Sequence, residues 1–263
     1  MLKIFDELTI AFRKHDGVIS EEQYKHIVMK HSTLLEDSDT IFILLQASGY
    51  PIIEEAGQYK LETYFTSYKN QKYCVIDIET NGSKPGTSQV IEIGAVMLQN
   101  GEMIDRYETF VECAYLPEYI TKITGIELTD LIGAPSRKEA LIGLRHFMQD
   151  AIFVAHNATF DYGFLNASFE RFGLGHIGNP KLCTIDLARR TFESERYGLA
   201  YLIDFLEIET ATHHRAYSDA LCAVKVMEKS IKTLPAYIKS ADELLRFSLS
   251  SKKERRMKKE EEG

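Results

Sequence analysis

The strongest chemical signal in this sequence is a pair of carboxylates at the end of a predicted β-strand. The strand-forming run that begins at Tyr73 ends in Asp77-Ile78-Glu79-Thr80. Side chains two residues apart on a strand project from the same face, so Asp77 and Glu79 are expected to point the same way. Like charges side by side raise each other's pKa and are costly unless a cation lies between them. Hard divalent ions prefer carboxylate oxygens, so the stretch predicts a metal site.

Two further acidic motifs follow, each at the predicted start of a helix. The short apolar strand 151–155 leads into His156-Asn157-Ala158-Thr159-Phe160-Asp161, which places Asp161 in the first turn of a helix. A carboxylate is favoured there by the helix dipole, so capping alone would also explain Asp161. The segment 213–220 then places His214 in a loop and Asp219 near the start of the next helix.

Residues 71–235, which carry these motifs, have the pattern of a mixed α/β domain. Asn100-Gly101 is a strong hairpin signal between two strand-like runs. The predicted strands are 73–80, 90–96, 105–112 and 151–155. The predicted helices are 134–149, one that follows residue 158, 184–192, 199–206 and one that begins near residue 219.

The sequence of residues 1–70 predicts a separate small module of three helices and a hairpin, which is a winged-helix-like arrangement. Ser20 and Gln23 form a capping-box pattern, and Ala56-Gly57 is a hairpin signal. Seven basic against eleven acidic residues give this module a net charge of −4, which favours protein docking or structural packing over DNA recognition. Residues 236–263 end in a mixed-charge run and predict a charged C-terminal tail.

Composition restricts the class of protein further. The chain of 263 residues has a net charge of −8, so a nucleic-acid substrate would have to be held by metal ions, local contacts or a partner. It lacks a run of about 18 apolar residues, so we expect no membrane span. Four scattered cysteines without a Cys-x-x-Cys pair fit a reducing compartment, and acids near the N-terminus do not fit a signal peptide. We therefore expect a cytoplasmic protein.

Together, the three motifs resemble the DEDDh family of 3′–5′ exonucleases, and within it the proofreading epsilon subunits of bacterial DNA polymerase III. The resemblance spans residues 73–234. It rests on the acidic pair in a strand, the His156-to-Asp161 segment at a helix start, and His214-x-Ala216-x-x-Asp219. It implies a ribonuclease-H-like exonuclease fold, in which helices flank a mixed sheet.

The resemblance also implies a chemistry and a set of partners. Two Mg²⁺ or Mn²⁺ ions, about 4 Å apart, would be held by Asp77, Glu79, Asp161 and Asp219. His214 would act as the general base, a role that suits a side chain titrating near neutral pH. The side chains expected to contact the terminal nucleotide are Thr80, His156 and Phe160. The expected substrate is a single-stranded or frayed DNA 3′ end, and the expected partner is the polymerase III catalytic subunit.

Three other interpretations are open from the sequence. An RNA-trimming exonuclease of the same family would share every motif, because only contacts to the 2′-OH separate RNA from DNA. An inactive adapter that keeps the exonuclease fold is disfavoured by the full set of four acids and the histidine, since unused like charges are costly. A winged-helix DNA-binding protein with an appended nuclease is disfavoured by the −4 charge of residues 1–70.

Overall fold

Two β-sheets organise the chain. The computed structural model describes residues 2–31, 37–209 and 215–251. The small sheet is antiparallel, in the order β1-β3-β2, and consists of β1 (Val18–Ser20), β2 (Ile52–Glu55) and β3 (Gln58–Leu61). The large sheet has the order β6-β5-β4-β7-β8 and consists of β4 (Tyr73–Thr80), β5 (Val90–Gln99), β6 (Glu102–Phe110), β7 (Ile152–Ala155) and β8 (Lys181–Cys183).

The N-terminal region builds its own hydrophobic core around the small sheet. Its helices are α1 (Leu2–Lys14), α2 (Glu21–Val28), α3 (Ser38–Ala47) and the short α4 (Glu62–Phe65). The predicted capping box forms, because Ser20 Oγ accepts from Gln23 N and Gln23 Oε1 accepts from Ser20 N. The hairpin turn has positive φ at both Ala56 and Gly57, which matches the twist of the paired strands. Strand β1 has three residues, too few to show a periodicity in the sequence.

The large sheet is mixed and has helices on both faces, which confirms the fold class predicted for residues 71–235; the winged-helix character of residues 1–70 stays a prediction. Strands β4, β7 and β8 run parallel to one another, and β5 and β6 are antiparallel to their neighbours. One face packs on α7 (Arg137–Met148) and α8 (Ala158–Arg171). The other packs on α9 (Thr184–Thr191), α11 (Ala216–Ile231) and α12 (Ala241–Leu249). The connecting helices are α5 (Glu118–Thr124), α6 (Leu128–Leu131) and α10 (Leu199–Phe205).

Two element boundaries differ from the prediction for local reasons. Strand β6 begins at Glu102 rather than at residue 105, because the Asn100-Gly101 turn, with φ of 54° and 78°, returns the chain to the sheet at once. Helix α7 begins at Arg137 rather than at residue 134, because Ser136 caps it by accepting from Glu139 N.

The C-terminal segment differs more. The sequence predicts a charged tail over 236–263, yet this range contains α12, whose apolar side chains belong to the second core. Ser240 caps this helix in a capping box with Glu243. Helix α12 also contacts the N-terminal region, where Arg13 donates to Asp242 Oδ1 from Nε (2.9 Å) and Nη2 (2.7 Å). A tail can therefore begin only after Leu249. Within residues 2–31, 37–209 and 215–251, the structure has no helix that is both long and apolar enough to cross a membrane.

Candidate active site

The acidic pair lies where strand β4 leaves the hydrophobic core. Along β4, Cys74, Ile76 and Ile78 pack on the α7–α8 side, and Tyr73 and Val75 pack on the α11 side. Asp77 and Glu79 continue the second series, so both carboxylates face α11, as the period of two predicts. Both residues are half-buried, so solvent reaches part of each.

A close helix–strand approach brings Asp219 to this pair. Gly94 of β5 lies opposite Asp77 in the β4–β5 register. A Cβ added at Gly94 would lie 2.1 Å from Tyr217 N and 2.3 Å from Ala216 C, so only glycine allows the first turn of α11 to lie so near the strand. Asp219 belongs to that first turn. As a result, Asp77, Glu79 and Asp219 each offer a carboxylate oxygen within 4.8 Å of the others.

An ion pair between a buried glutamate and a partly exposed arginine fixes the start of α11. Glu92, opposite Glu79 in the register, is 1% exposed. Its Oε1 accepts from Arg215 Nη2 (2.8 Å) and Nε (3.0 Å), and its Oε2 accepts from Ala216 N (3.1 Å). Both oxygens are thus used to hold Arg215 and the helix start. Neither residue stands out in the sequence as a site residue; the only signal is an acid within the apolar run 90–96.

Asp161, the fourth predicted carboxylate, belongs to a different helix. It lies in the first turn of α8, directly after β7, and is 3% exposed. Its pKa is raised chiefly by burial and also by the charge of Glu79, while hydrogen bonds to backbone groups oppose the rise. The charge of Asp161 in turn raises the pKa of Asp77. Asp161 thus interacts electrostatically with Asp77 and Glu79, but among the described residues it is not one of the three whose carboxylate oxygens lie within 4.8 Å of one another.

The electrostatics of the cluster favour a bound cation. Burial, followed by the charges of Asp161, Glu79 and Asp219, raises the pKa of Asp77 well above its usual range. Burial and the charges of Glu92 and Asp219 raise the pKa of Glu79 to about 7, while Arg215 opposes this rise. Protons or cations must therefore neutralise part of the cluster near neutral pH. Carboxylate oxygens in this number suit hard ions such as Mg²⁺ or Mn²⁺.

The three predicted substrate contacts have different surroundings. His156 Nε2 lies 3.0 Å from the carbonyl of Tyr197 and must donate to it, so Nδ1 accepts from the Thr184 hydroxyl at 2.8 Å. Burial lowers the pKa of His156 to about 4, so the ring is neutral and both of its nitrogens are occupied. Thr80 is buried and donates to the carbonyl of Gly82. Phe160 is 36% exposed, and its ring centroid lies 5.7 Å from that of Phe164.

The predicted general base, His214, lies within residues 210–214, outside the described residues. The described chain resumes at Arg215, where the Glu92 contact fixes the backbone. The role of His214 stays a prediction.

A mixed sheet flanked by helices, with a carboxylate cluster at the end of its central strand, is the architecture of the ribonuclease-H-like exonuclease fold. The sequence profile of the RNase T exonuclease family matches residues 74–227, and the chain belongs to this family.

The relatives and solved structures agree with this assignment. The chain is 36% identical over 165 residues to a PolC-type DNA polymerase III of Halalkalibacterium halodurans, covering 62% of this chain and 12% of the relative. It is 34% identical over 199 residues to a PolC-type DNA polymerase III of Caldanaerobacter subterraneus subsp. tengcongensis, covering 74% of this chain and 14% of the relative. The chain thus spans only about an eighth of the length of these relatives.

Among solved structures, E. coli exonuclease I in complex with a dT13 oligonucleotide matches with a TM-score of 0.55 at 18% identity, covering 62% of this chain and 41% of that chain. Exonuclease X in complex with 5′ overhanging duplex DNA matches with a TM-score of 0.50 at 23% identity, covering 65% of this chain and 99% of that chain. At these identities the two matches show a shared fold.

Proposed function

We propose that this protein is a 3′–5′ exonuclease that releases nucleoside 5′-monophosphates from DNA 3′ ends with the help of two divalent cations, Mg²⁺ or Mn²⁺. The observation that carries the proposal is the carboxylate cluster, in which three ligand oxygens lie within 4.8 Å at the end of β4. The residues that would hold the cations are Asp77, Glu79, Asp161 and Asp219. When bound, such cations activate water and neutralise charge on a phosphodiester.

The remaining steps use side chains of the chain itself. His214 takes a proton from the attacking water as general base. The water oxygen bonds to the phosphorus of the terminal phosphodiester, and the bond from phosphorus to the 3′ oxygen of the preceding nucleotide breaks. That oxygen takes up a proton and becomes the new 3′ end. The terminal nucleotide leaves with its 5′ phosphate.

The surroundings of the cluster fit a substrate that is bound without regard to sequence. The exposed ring of Phe160 offers a stacking surface next to Asp161, and base stacking on an aromatic ring is tolerant of sequence. His156, being neutral and bonded to the carbonyl of Tyr197, holds the segment before α10 against the end of β7. We propose that His156 and Thr80 shape the nucleotide pocket.

We propose further that the enzyme proofreads with the catalytic subunit of DNA polymerase III, as epsilon subunits do. The matched part of both relatives belongs to a PolC-type DNA polymerase III, which supports this assignment. The net charge of −8 also fits an enzyme whose DNA affinity comes largely from a partner. A mispaired 3′ end is already frayed and costs less unpairing energy to enter the site.

The test uses the full chain with Mg²⁺ and three 5′-labelled substrates: single-stranded DNA, the same sequence as RNA, and a primer–template with a mispaired 3′ end. We expect a ladder that shortens from the 3′ end of DNA, and no ladder with Asp77→Asn or with EDTA. Immediate release of the label as a mononucleotide would contradict the 3′–5′ direction. Faster shortening of RNA would contradict the DNA role and leave the chemistry intact.

A further inference from the structure

A second groove lies at the end of the large sheet opposite the carboxylate cluster. It has a volume of about 630 Å³ and lies between the segment that leads into β4 and the segment between α11 and α12. Helix α11 starts at the cluster and ends at this groove. Its 16 residues, at about 1.5 Å each, separate the two places by about 24 Å.

Main-chain hydrogen bonds hold the two sides of the groove together. Tyr68 N donates to the carbonyl of Lys239 (3.1 Å), and Ala241 N donates to the carbonyl of Thr66 (2.8 Å). Ser67 and Ser240 form an isolated antiparallel bridge between these two bonds. The two segments that form the groove are therefore fixed to each other through their backbones.

The groove is cationic although the protein is acidic. Lys69, Lys239 and Arg246 line it and are exposed. Among the residues that the structure describes, none of the three has an ion-pair partner. The one carboxylate in the lining, Glu243, directs Oε2 at Lys239 N (2.7 Å) and Ser240 N (2.9 Å), so this oxygen serves to cap α12. Three cations against one carboxylate give the lining a formal excess of positive charge, which favours a polyanion.

Aromatic rings line the same groove as these cations. Phe65 is 56% exposed, and its ring centroid lies 5.3 Å from that of Tyr64. The Nζ of Lys69 lies 5.9 Å from the centroid of the Tyr68 ring. Cations that share a groove with an exposed ring and two half-buried rings suit a single-stranded nucleic acid, because the cations bind phosphates and a ring can stack on an unpaired base.

We propose that this groove binds single-stranded DNA on the 5′ side of the 3′ end that occupies the carboxylate cluster. The proposal rests on the proposed function, which supplies the substrate. A stacked strand rises about 3.4 Å per nucleotide, so the distance of about 24 Å between the two sites corresponds to about seven nucleotides. That length lies within the roughly 4–16 nucleotides that single-strand binding folds cover. The groove would hold a long substrate while its end is trimmed.

The test compares the binding of two oligonucleotides that differ only in length. Fluorescence anisotropy with 5′-labelled dT4 and dT16 is measured in EDTA on the full chain carrying Asp77→Asn, which removes hydrolysis. We expect Lys239→Glu to weaken dT16 binding by about tenfold and leave dT4 binding unchanged. The log–log slope of dT16 affinity against salt should become shallower by about 0.7 for each phosphate that the variant no longer neutralises. The matched control is Lys138→Glu, which alters an exposed lysine of α7 on the other face of the sheet. This substitution should change neither dT4 binding nor dT16 binding.

Three outcomes would overturn the proposal: unchanged dT16 binding in Lys239→Glu, an equal loss for dT4 and dT16, or an equal loss in Lys138→Glu. In a fourth outcome, Lys239→Glu abolishes the binding of decaglutamate but leaves the binding of dT16 unchanged. That result would overturn the proposal and assign the groove to an acidic protein segment. The proposed function is tested apart from these outcomes by hydrolysis of dT4 with Asp77 intact, because dT4 is too short to reach the groove.

Discussion

Replacing Gly94 with alanine tests whether the contact between α11 and β5 assembles the site. The added Cβ would lie 2.1 Å from Tyr217 N, 2.3 Å from Ala216 C and 2.4 Å from Tyr217 Cα, where ordinary contact begins at 3.4 Å. All three atoms are backbone atoms, so no side-chain rotation can relieve the overlap. The first turn of α11 must therefore move by about 1.3 Å, and Asp219 must move with it.

The size of this displacement sets the expected effect. A shift of about 1 Å in a catalytic group can cost on the order of 10²-fold in rate, so we expect kcat to fall about 100-fold. Overpacking of a tight core contact costs about 1–3 kcal/mol in the free energy of unfolding, so the protein should remain folded. The displaced carboxylate should also weaken Mg²⁺ binding.

The assay combines single-turnover hydrolysis of a labelled oligonucleotide, thermal unfolding and calorimetric titration of Mn²⁺. Gly163→Ala is the matched control, because a Cβ at this exposed glycine of α8 meets nothing within 4 Å. Alanine is also favoured over glycine in a helix by about 1 kcal/mol. The control should thus be at least as stable as the parent and fully active. A Gly94→Ala variant with kcat and Mn²⁺ affinity within threefold of the parent would refute the reasoning.

Three further outcomes are expected. Arg215→Met should lower kcat about tenfold or more with little change in KM, because Glu92 then loses its partner. Arg215→Lys should restore part of the rate, and equal rates for the two variants would contradict the role of this ion pair. Burial raises the pKa of Glu79 from 4.5 to about 7, so the folded, cation-free protein binds more protons than the unfolded chain in that window. Its stability should therefore fall as pH rises from about 4.5 to 7, and Mg²⁺ should restore it, as thermal unfolding would measure. Arg13→Met should lower the free energy of unfolding by about 3 kcal/mol, because Asp242, at 1% exposure, would be left without its partner. Denaturant titration measures this loss, with Arg13→Lys as the comparison.

The parts of the site that follow local rules were predictable from the sequence. The period of two in β4 places Asp77 and Glu79 on one face, and the starts of two helices place Asp161 and Asp219, all as observed. The mixed α/β class follows from the same periodicities.

The supports of the site were not predictable, because they join distant parts of the chain. The Glu92–Arg215 bond spans 123 positions in the sequence, and nothing near Glu92 indicates its partner. The need for glycine at position 94 arises from a helix more than a hundred residues later. Helix α12 is hidden in the sequence by the charged run beyond it, which dominates the composition, although Leu244, Leu245 and Phe247 have a helical apolar spacing.

The burial of α12 also has a consequence for synthesis of the protein on the ribosome. Ala241, Leu244 and Phe247 complete the core that covers Val75 and its neighbours on β4. Domains form from the N-terminus as the chain emerges, at about 5–20 residues per second. The acidic strand is therefore made long before the helix that closes the core behind it. A chain released early by a stalled ribosome, short of residue 249, would expose apolar strand surface and be open to proteolysis. Packing of the strand that carries Asp77 and Glu79 therefore depends on synthesis having passed α12.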